Sequence, residues 1–335
     1  MLTGAGKEMA SPTNNTKDFK EFLAKNSIEK RQKMDSILHI DQANSNDVHY
    51  EFCLIRCDPT EIRENDYLQL LHSHLWDYAL SYAELHPKKL TKEKIVQYFI
   101  ENGPHFNDQA KSTYVTKSST TGDPGELFLF VALESIGFIR ILNKMALKTN
   151  GEVPFQGWDA VHIGVGKYGD ILFAYGSSKL KKKLDKALYE TFSDIEGFST
   201  TTGKEEHEIK LVSSYIESGR LGKYTKEIAK MLTPYYREKE RIGRAHPIFI
   251  GYQWDSLKNL KRPENGTLDN HLHEVYKQTH QDMINRIDKQ ISKLSVASKR
   301  EFYVWIIPFE DLQRIRNKFL EKLGVKDCLG DECYE

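Results

Sequence analysis

The stretch Leu127–Leu142 (LFLFVALESIGFIRIL) is apolar nearly all round, interrupted at Glu134. A helix that is apolar on most faces must be buried on most sides, so the rest of the chain has to supply layers that pack around it. The run falls short of the ~18 uninterrupted apolar residues that a membrane-spanning helix needs. With 335 residues the chain is long enough to bury a large core without disulfide or metal staples. At ~150 residues per domain it reads as two domains or one large decorated one.

The surrounding segments provide such layers. Val48–Cys57 is β-branched and aromatic, a strand pattern. Pro154–Val165 and Ile171–Ser177 read as two strands joined by Gly166–Asp170, a turn with two glycines. Pro247–Trp254 and Glu301–Ile307 are further strands. Apolar spacing predicts helices over Lys17–Lys33, Glu61–Leu85, Thr91–Glu101, Leu127–Leu142, Leu180–Phe192, near Glu205–Glu217 and Tyr224–Leu232, and one long helix over Leu268–Leu294. A loop rich in Ser, Thr, Asn and Asp spans Gly103–Gly122. Strands interleaved with helices imply an α/β layered fold, and no repeat of solenoid period is present. The expected organisation is a flexible tail at 1–16, a mostly helical N-terminal region with one strand at 17–106, an α/β domain at 107–325, and a C-terminal tail at 326–335.

Charge and cysteine content narrow the class. Lys+Arg and Asp+Glu are both 48, a net charge of zero that excludes a polycationic nucleic-acid coat and an acidic tail protein alike. Any polyanion must be held by a local patch. The N-terminus lacks an apolar signal core, and four cysteines are few, so a cytoplasmic location with no membrane association is expected. Cys53/Cys57 and Cys328/Cys333 have spacings compatible with a thiolate zinc site, but the first pair sits inside a strand-like run, which favours bystander thiols. His72/His74 and His271/His273 lie two apart on helical stretches and are expected at the surface. No Walker A loop, dinucleotide glycine fingerprint or nucleophile elbow occurs, so the chain has no nucleotide cofactor of its own.

The chemistry concentrates in Asp123–Lys186. Asp123 can cap a helix with Pro124 at its first position, which places Glu126 where a capping-box carboxylate reaches back; the same carboxylate is also a candidate ligand. If Val165 pairs with Ile171, Asp159 falls opposite Ser177 on one face, and Lys179 is one diagonal step away. A one-residue slip would separate them. A carboxylate beside a lysine at a strand end suits metal-assisted phosphodiester cleavage, in which the acid binds a hard divalent cation and the lysine orients water or offsets charge on phosphate. The plain alternative is a surface ion pair worth ~0–1 kcal/mol; the core-like residues flanking Asp159 and Lys179 count against it. His162 points to the opposite face and reads as a core or supporting residue. Lys179, Lys181, Lys182, Lys183 and Lys186 form the densest basic cluster, either a solvated helix face or a track for a phosphate backbone.

A helix bearing Glu, a strand Asp, then a carboxylate-x-Lys on the next strand and a helix is the pattern of the PD-(D/E)XK nuclease core. More narrowly, Gly125-Glu126-Leu127, Asn143-Lys144-Met145-Ala146-Leu147-Lys148-Thr149, Trp158-Asp159-Ala160-Val161-His162 and Gly176-Ser177-Ser178-Lys179 resemble the HamA nuclease subunits of Hachiman anti-phage defence systems, over about a fifth of the chain. The resemblance implies a mixed central sheet flanked by helices, a Mg²⁺- or Mn²⁺-dependent deoxyribonuclease activity, and a superfamily 2 helicase partner, HamB. It implies Asp159 and Glu126 as metal ligands and Lys179 as the catalytic lysine. Lys181, Lys182 and Lys183 of the basic cluster are candidate nucleic-acid contacts, and Lys148 either contacts the scissile strand or pairs with a core carboxylate. One position departs: Ser177 stands where the family pattern has a metal-binding glutamate. A hydroxyl is a far poorer ligand for a hard cation. Three readings remain open. The carboxylate is borrowed, as in restriction endonucleases with Ser-x-Lys, from Glu126 first and Glu190 or Asp194 next; or the chain is an inactive adaptor that still binds nucleic acid and docks the helicase; or the serine was introduced to trap an inactive complex.

Overall fold

The computed structural model describes residues 14–59, 61–87, 90–112, 123–143, 158–201, 204–216, 218–233, 243–258, 266–296 and 300–324. Helix α1 (Asn14–Ile37) leads into a hairpin, β1 (Leu38–Ser45) and β2 (Val48–Ile55), followed by α2 (Glu64–Ser73), α3 (Leu75–Ala79), α4 (Tyr82–Leu85) and α5 (Lys92–Ser112). The second half opens with α6 (Asp123–Ser135), β3 (Ile139–Arg140), β4 (Ala160–Val165), β5 (Ile171–Lys181) and α7 (Leu184–Thr200). Helices α8 (Lys204–Tyr215), α9 (Ser218–Leu221) and α10 (Thr225–Met231) precede β6 (Gly243–Gln253). The last described elements are α11 (Leu268–Lys277), α12 (His280–Ile291), β7 (Arg300–Phe309) and α13 (Leu312–Leu323).

The seven strands among the described residues form one mixed sheet, in the order β1-β2-β7-β6-β5-β4-β3. The central pairs β2/β7, β7/β6 and β6/β5 are parallel, and the outer pairs are antiparallel. One face buries Val161, Phe173, Tyr175, Ile248, Ile250, Val304 and Ile306 under α7, α8, α11 and α12. The other buries Ala160, Leu172, Ala174, Phe249 and Trp305 under α1, α2, α6 and α13. A sheet covered on both faces needs near-continuous apolar strands, and β6 and β7 supply them. The order α6-β3-β4-β5-α7 followed by a parallel β6 is the helix–three-strand–helix–strand arrangement expected of the nuclease-like core, with mainly helical structure before it.

Several expected boundaries shift for identifiable reasons. The apolar run 127–142 is a helix only to Ser135; Gly137 takes φ +90°, Phe138 N–H returns to Leu133 O at 3.0 Å, and the remainder enters the sheet as β3. This is a glycine helix stop. Strand β5 runs four residues beyond Ser177, because Leu180 and Lys181 pair with Gly251 and Tyr252. The long helix expected over 268–294 breaks between Lys277 and His280, and 61–85 divides into α2, α3 and α4. The expected loop after Gly103 is helical to Ser112, with Pro104 inside α5. Among the described residues the N-terminal region carries two strands rather than one, and the boundary set near Asn107 falls inside α5. Because β2 pairs with β7, chain from both sides of that point shares one sheet.

The histidines expected at the surface are also placed differently. His74 is buried 3.7 Å from Asp77, and His273 bonds Asp41 at 2.7 Å while stacking on His39. Cys53 is buried and Cys57 half-buried; Cys328 and Cys333 lie outside the described residues. Among the described residues no helix is long and apolar enough to cross a membrane.

His246, fully buried in β6, gives the fold a defined acid sensitivity. Arg300 Nη1 lies 2.6 Å from its Nε2, and Tyr175 O lies 3.4 Å from its Nδ1. A guanidinium only donates, so Nε2 accepts and the ring is neutral. Burial, reinforced by the Arg300 charge, pushes its pKa down to about 3. In the unfolded chain the ring takes up a proton near pH 6.5, so stability falls as pH drops from about 6.5 toward 3, by ~1.4 kcal/mol per pH unit for one proton. Urea midpoints measured across that window should show a slope about one proton shallower in His246→Asn.

Candidate active site

The predicted register holds. Val165 pairs with Ile171, Ala160 with Gly176, and Asp159 N–H donates to Gly176 O at 2.9 Å. Asp159 therefore stands one step beyond β4, opposite Ser177. Its Oδ2 accepts the Ser178 backbone N–H at 2.7 Å, so the neighbouring strand fixes the carboxylate at the open end of the hairpin.

Lys179 leaves β5 toward α7, where its Nζ meets Asp194 Oδ2 at 2.8 Å. Two residues on, Lys181 meets Glu190 at 2.7 Å. The two-residue period of the strand and the four-residue spacing of the helix thus match into parallel ion pairs. Burial opposes charge on Lys179, but the bond from Asp194 and the charges of Asp194 and Asp159 outweigh it and raise its pKa above the ordinary lysine value. Lys179 is an ammonium. Glu190 and Asp194, weighed as donors for the missing carboxylate, are each engaged by a lysine. Lys182 and Lys183 are exposed at the turn into α7, as is Lys186 on the helix, and Lys148 lies outside the described residues.

Glu126 comes from the other side of the sheet. The first turn of α6 lies directly on β5: a Cβ at Gly125 would sit 2.4 Å from Ser178 Oγ and 3.2 Å from Leu180 and Phe249. That contact, possible only for glycine, brings the half-buried Glu126 beside the strand that carries Ser177 and Lys179. Glu126 Oε2 accepts the Tyr78 hydroxyl at 3.1 Å. Ser177 itself is buried, in register with Ile248.

A cavity of about 20 Å³, enough for one water, lies behind Asp159, lined also by Tyr78, Phe130, Arg140, Asn143 and His162. His162 is buried with both ring nitrogens lacking a protein partner. Burial first, then Arg140, Arg220 and Lys30 against the opposing pull of Glu134, pushes its pKa down to about 3. It is a neutral, buried residue, but it lines the same cavity as Asp159 although the alternation of the strand put the two on opposite faces, because Asp159 stands just beyond the end of β4.

The sequence reading missed Tyr78 and Arg140, and it took Asn143 only as part of the family-like stretch, with no role of its own. Arg140 carried a signal, a lone cation in an apolar run; Tyr78 carried none. Among the described residues there is no group of three or more His, Cys, Asp or Glu arranged around one point for a metal. Magnesium characteristically takes only one or two carboxylates and completes its shell with water. Asp159 lines the cavity, and Glu126 bonds Tyr78, which also lines it.

The helix–hairpin–helix core with an acid and a lysine at the hairpin end is one part of a longer match. The HamA family model covers residues 18–323. The chain belongs to the HamA family. It is thereby a component of Hachiman defence, and the family relationship extends from α1 to α13, far beyond the motif-bearing fifth. The helices before α6 and the whole seven-stranded sheet are thus HamA features, not additions to a smaller nuclease core. No curated protein matches the chain.

Proposed function

We propose that this HamA protein is a metal-dependent deoxyribonuclease subunit that acts with a superfamily 2 helicase. The observation that carries the reading is the hairpin end, where Ser178 N–H holds Asp159 and the charge of Asp159 acts on Lys179. Asp159 and Glu126 hold the divalent cation, Mg²⁺ or Mn²⁺, which when bound supplies Lewis-acid polarisation and a more acidic water. Lys179, kept protonated by Asp194 and Asp159, offsets the negative charge that grows on the phosphate. It serves as a charge stabiliser rather than a base. Lys182, Lys183 and Lys186 provide exposed cations for the sugar–phosphate backbone, which they bind without sequence preference. Lys181 is already neutralised by Glu190, so the free basic patch is smaller than the sequence implies. That fits a neutral protein that depends on a partner to deliver DNA.

Cleavage of plasmid and linear DNA by the purified complex, with and without Mg²⁺, tests this. The wild type cuts only with metal, Asp159→Ala falls to the metal-free level, and Ser177→Glu raises the rate. Undiminished cutting by Asp159→Ala overturns the site assignment. A second reading, a nuclease-fold adaptor that binds nucleic acid and docks the helicase, is favoured by the buried Ser177 and the two-carboxylate donor set. It predicts no metal-dependent cutting by the wild type.

A further inference from the structure

Helix α3 ends in an unusual mount. A helix leaves its last carbonyls without intrahelical partners, and here four successive ones are taken by side chains from elsewhere. Arg220 Nη2 donates to Asp77 O at 2.8 Å, Arg140 Nη1 to Tyr78 O, Asn143 Nδ2 to Ala79 O at 3.3 Å, and Arg140 Nη2 to Leu80 O at 3.1 Å. Arg140 and Asn143 are buried. Satisfying four orphan carbonyls in the interior with two guanidinium groups and an amide fixes this turn far more tightly than packing alone. The residue it fixes is Tyr78. The Tyr78 ring is buried edge-on against Phe130 at 5.4 Å, its hydroxyl donates to Glu126, and it lines the cavity with Asp159.

We infer that Tyr78 is a positioning residue for Glu126, an inference that rests on the metal site proposed above. Glu126 is half-buried on the first turn of α6. The phenol, carried on a turn whose carbonyls are bonded by side chains, holds one carboxylate oxygen and aims the group at the site. The helical N-terminal region, through α3, then belongs to the working site, and the nuclease-like core alone is incomplete. Groups that orient a metal ligand typically change metal affinity about 10–100-fold when removed.

The test is calorimetric titration of Mn²⁺ into the full-length wild type, Tyr78→Phe, Glu126→Gln and the double variant, with thermal melts alongside. Tyr78→Phe keeps the buried ring and removes only the hydroxyl. It should weaken Mn²⁺ binding at least 10-fold while melting close to the wild type, and in the Glu126→Gln background it should add nothing, since its effect passes through that carboxylate. Wild-type affinity in Tyr78→Phe, or losses that add fully in the double variant, overturns the inference while leaving the metal site standing. A wild type that takes up no Mn²⁺ overturns the metal site and the inference together.

Discussion

Glu134→Gln should cost about 3–5 kcal/mol of stability, among the largest losses that a single substitution in this chain can cause. Glu134 is buried on α6 between two cations: Lys30 of α1 bonds its Oε2, and Arg220 of α9 lies 3.3 Å from its Oε1. Lys30 also reaches Asp77 of α3 at 3.3 Å. Lys30, Arg140 and Arg220 gather around the Phe130 ring at 5.2, 5.5 and 5.9 Å. Burial disfavours every charge here, yet on Glu134 the fields of Lys30 and Arg220 prevail and hold its carboxyl below the usual range. Neutralising it leaves Asp77 as the acid facing two largely buried cations, and under-compensated buried charge is what makes such changes expensive. The cluster ties α1, α3, α6 and α9 together, so the loss should appear as a fall in urea midpoint for the whole transition. A domain with ~5–15 kcal/mol to spare is brought near its limit by this one change.

Lys179→Met should lower metal-dependent cleavage by about 10²–10³-fold, the usual range for deleting one preorganised electrostatic stabiliser. Methionine keeps much of the buried stem and removes the charge. Stability should move little, because Asp194 is 56 % exposed and a pair of that kind contributes ~0–1 kcal/mol. The separation of the two readouts is the informative part. Matching wild-type and Lys179→Met cleavage rates would remove Lys179 from the reaction, whereas equal losses of activity and stability would make it structural.

The most legible part of the site was the hairpin. Its turn carries Gly169, which takes φ +90°, and both strands have apolar faces that penalise a slip, so the pairing of Val165 with Ile171 and the approach of Asp159 to Ser177 followed from local pattern. The parallel strands β6 and β7 were legible for a similar reason, as apolar runs suited to burial on both faces. Strand β1 was not, since LHIDQANS is a polar edge strand turned by Asn46 at φ +53°. The end of α6 was readable in principle from Gly137 but was hidden by apolar residues on both sides of it. Tyr78 was beyond reach of local pattern: its bond to Glu126 spans 48 residues, and the Arg140 and Asn143 bonds that fix its turn span 60 to 64. Such contacts arise only when the N-terminal helices close over the sheet.

The most direct test of the account is a calorimetric titration of Mg²⁺ and Mn²⁺ into the wild type and Asp159→Ala. The account predicts saturable uptake at millimolar metal by the wild type and none by the variant. Absence of uptake by the wild type, or equal uptake by both, contradicts a metal site at Asp159 and leaves the nuclease-fold adaptor as the better description.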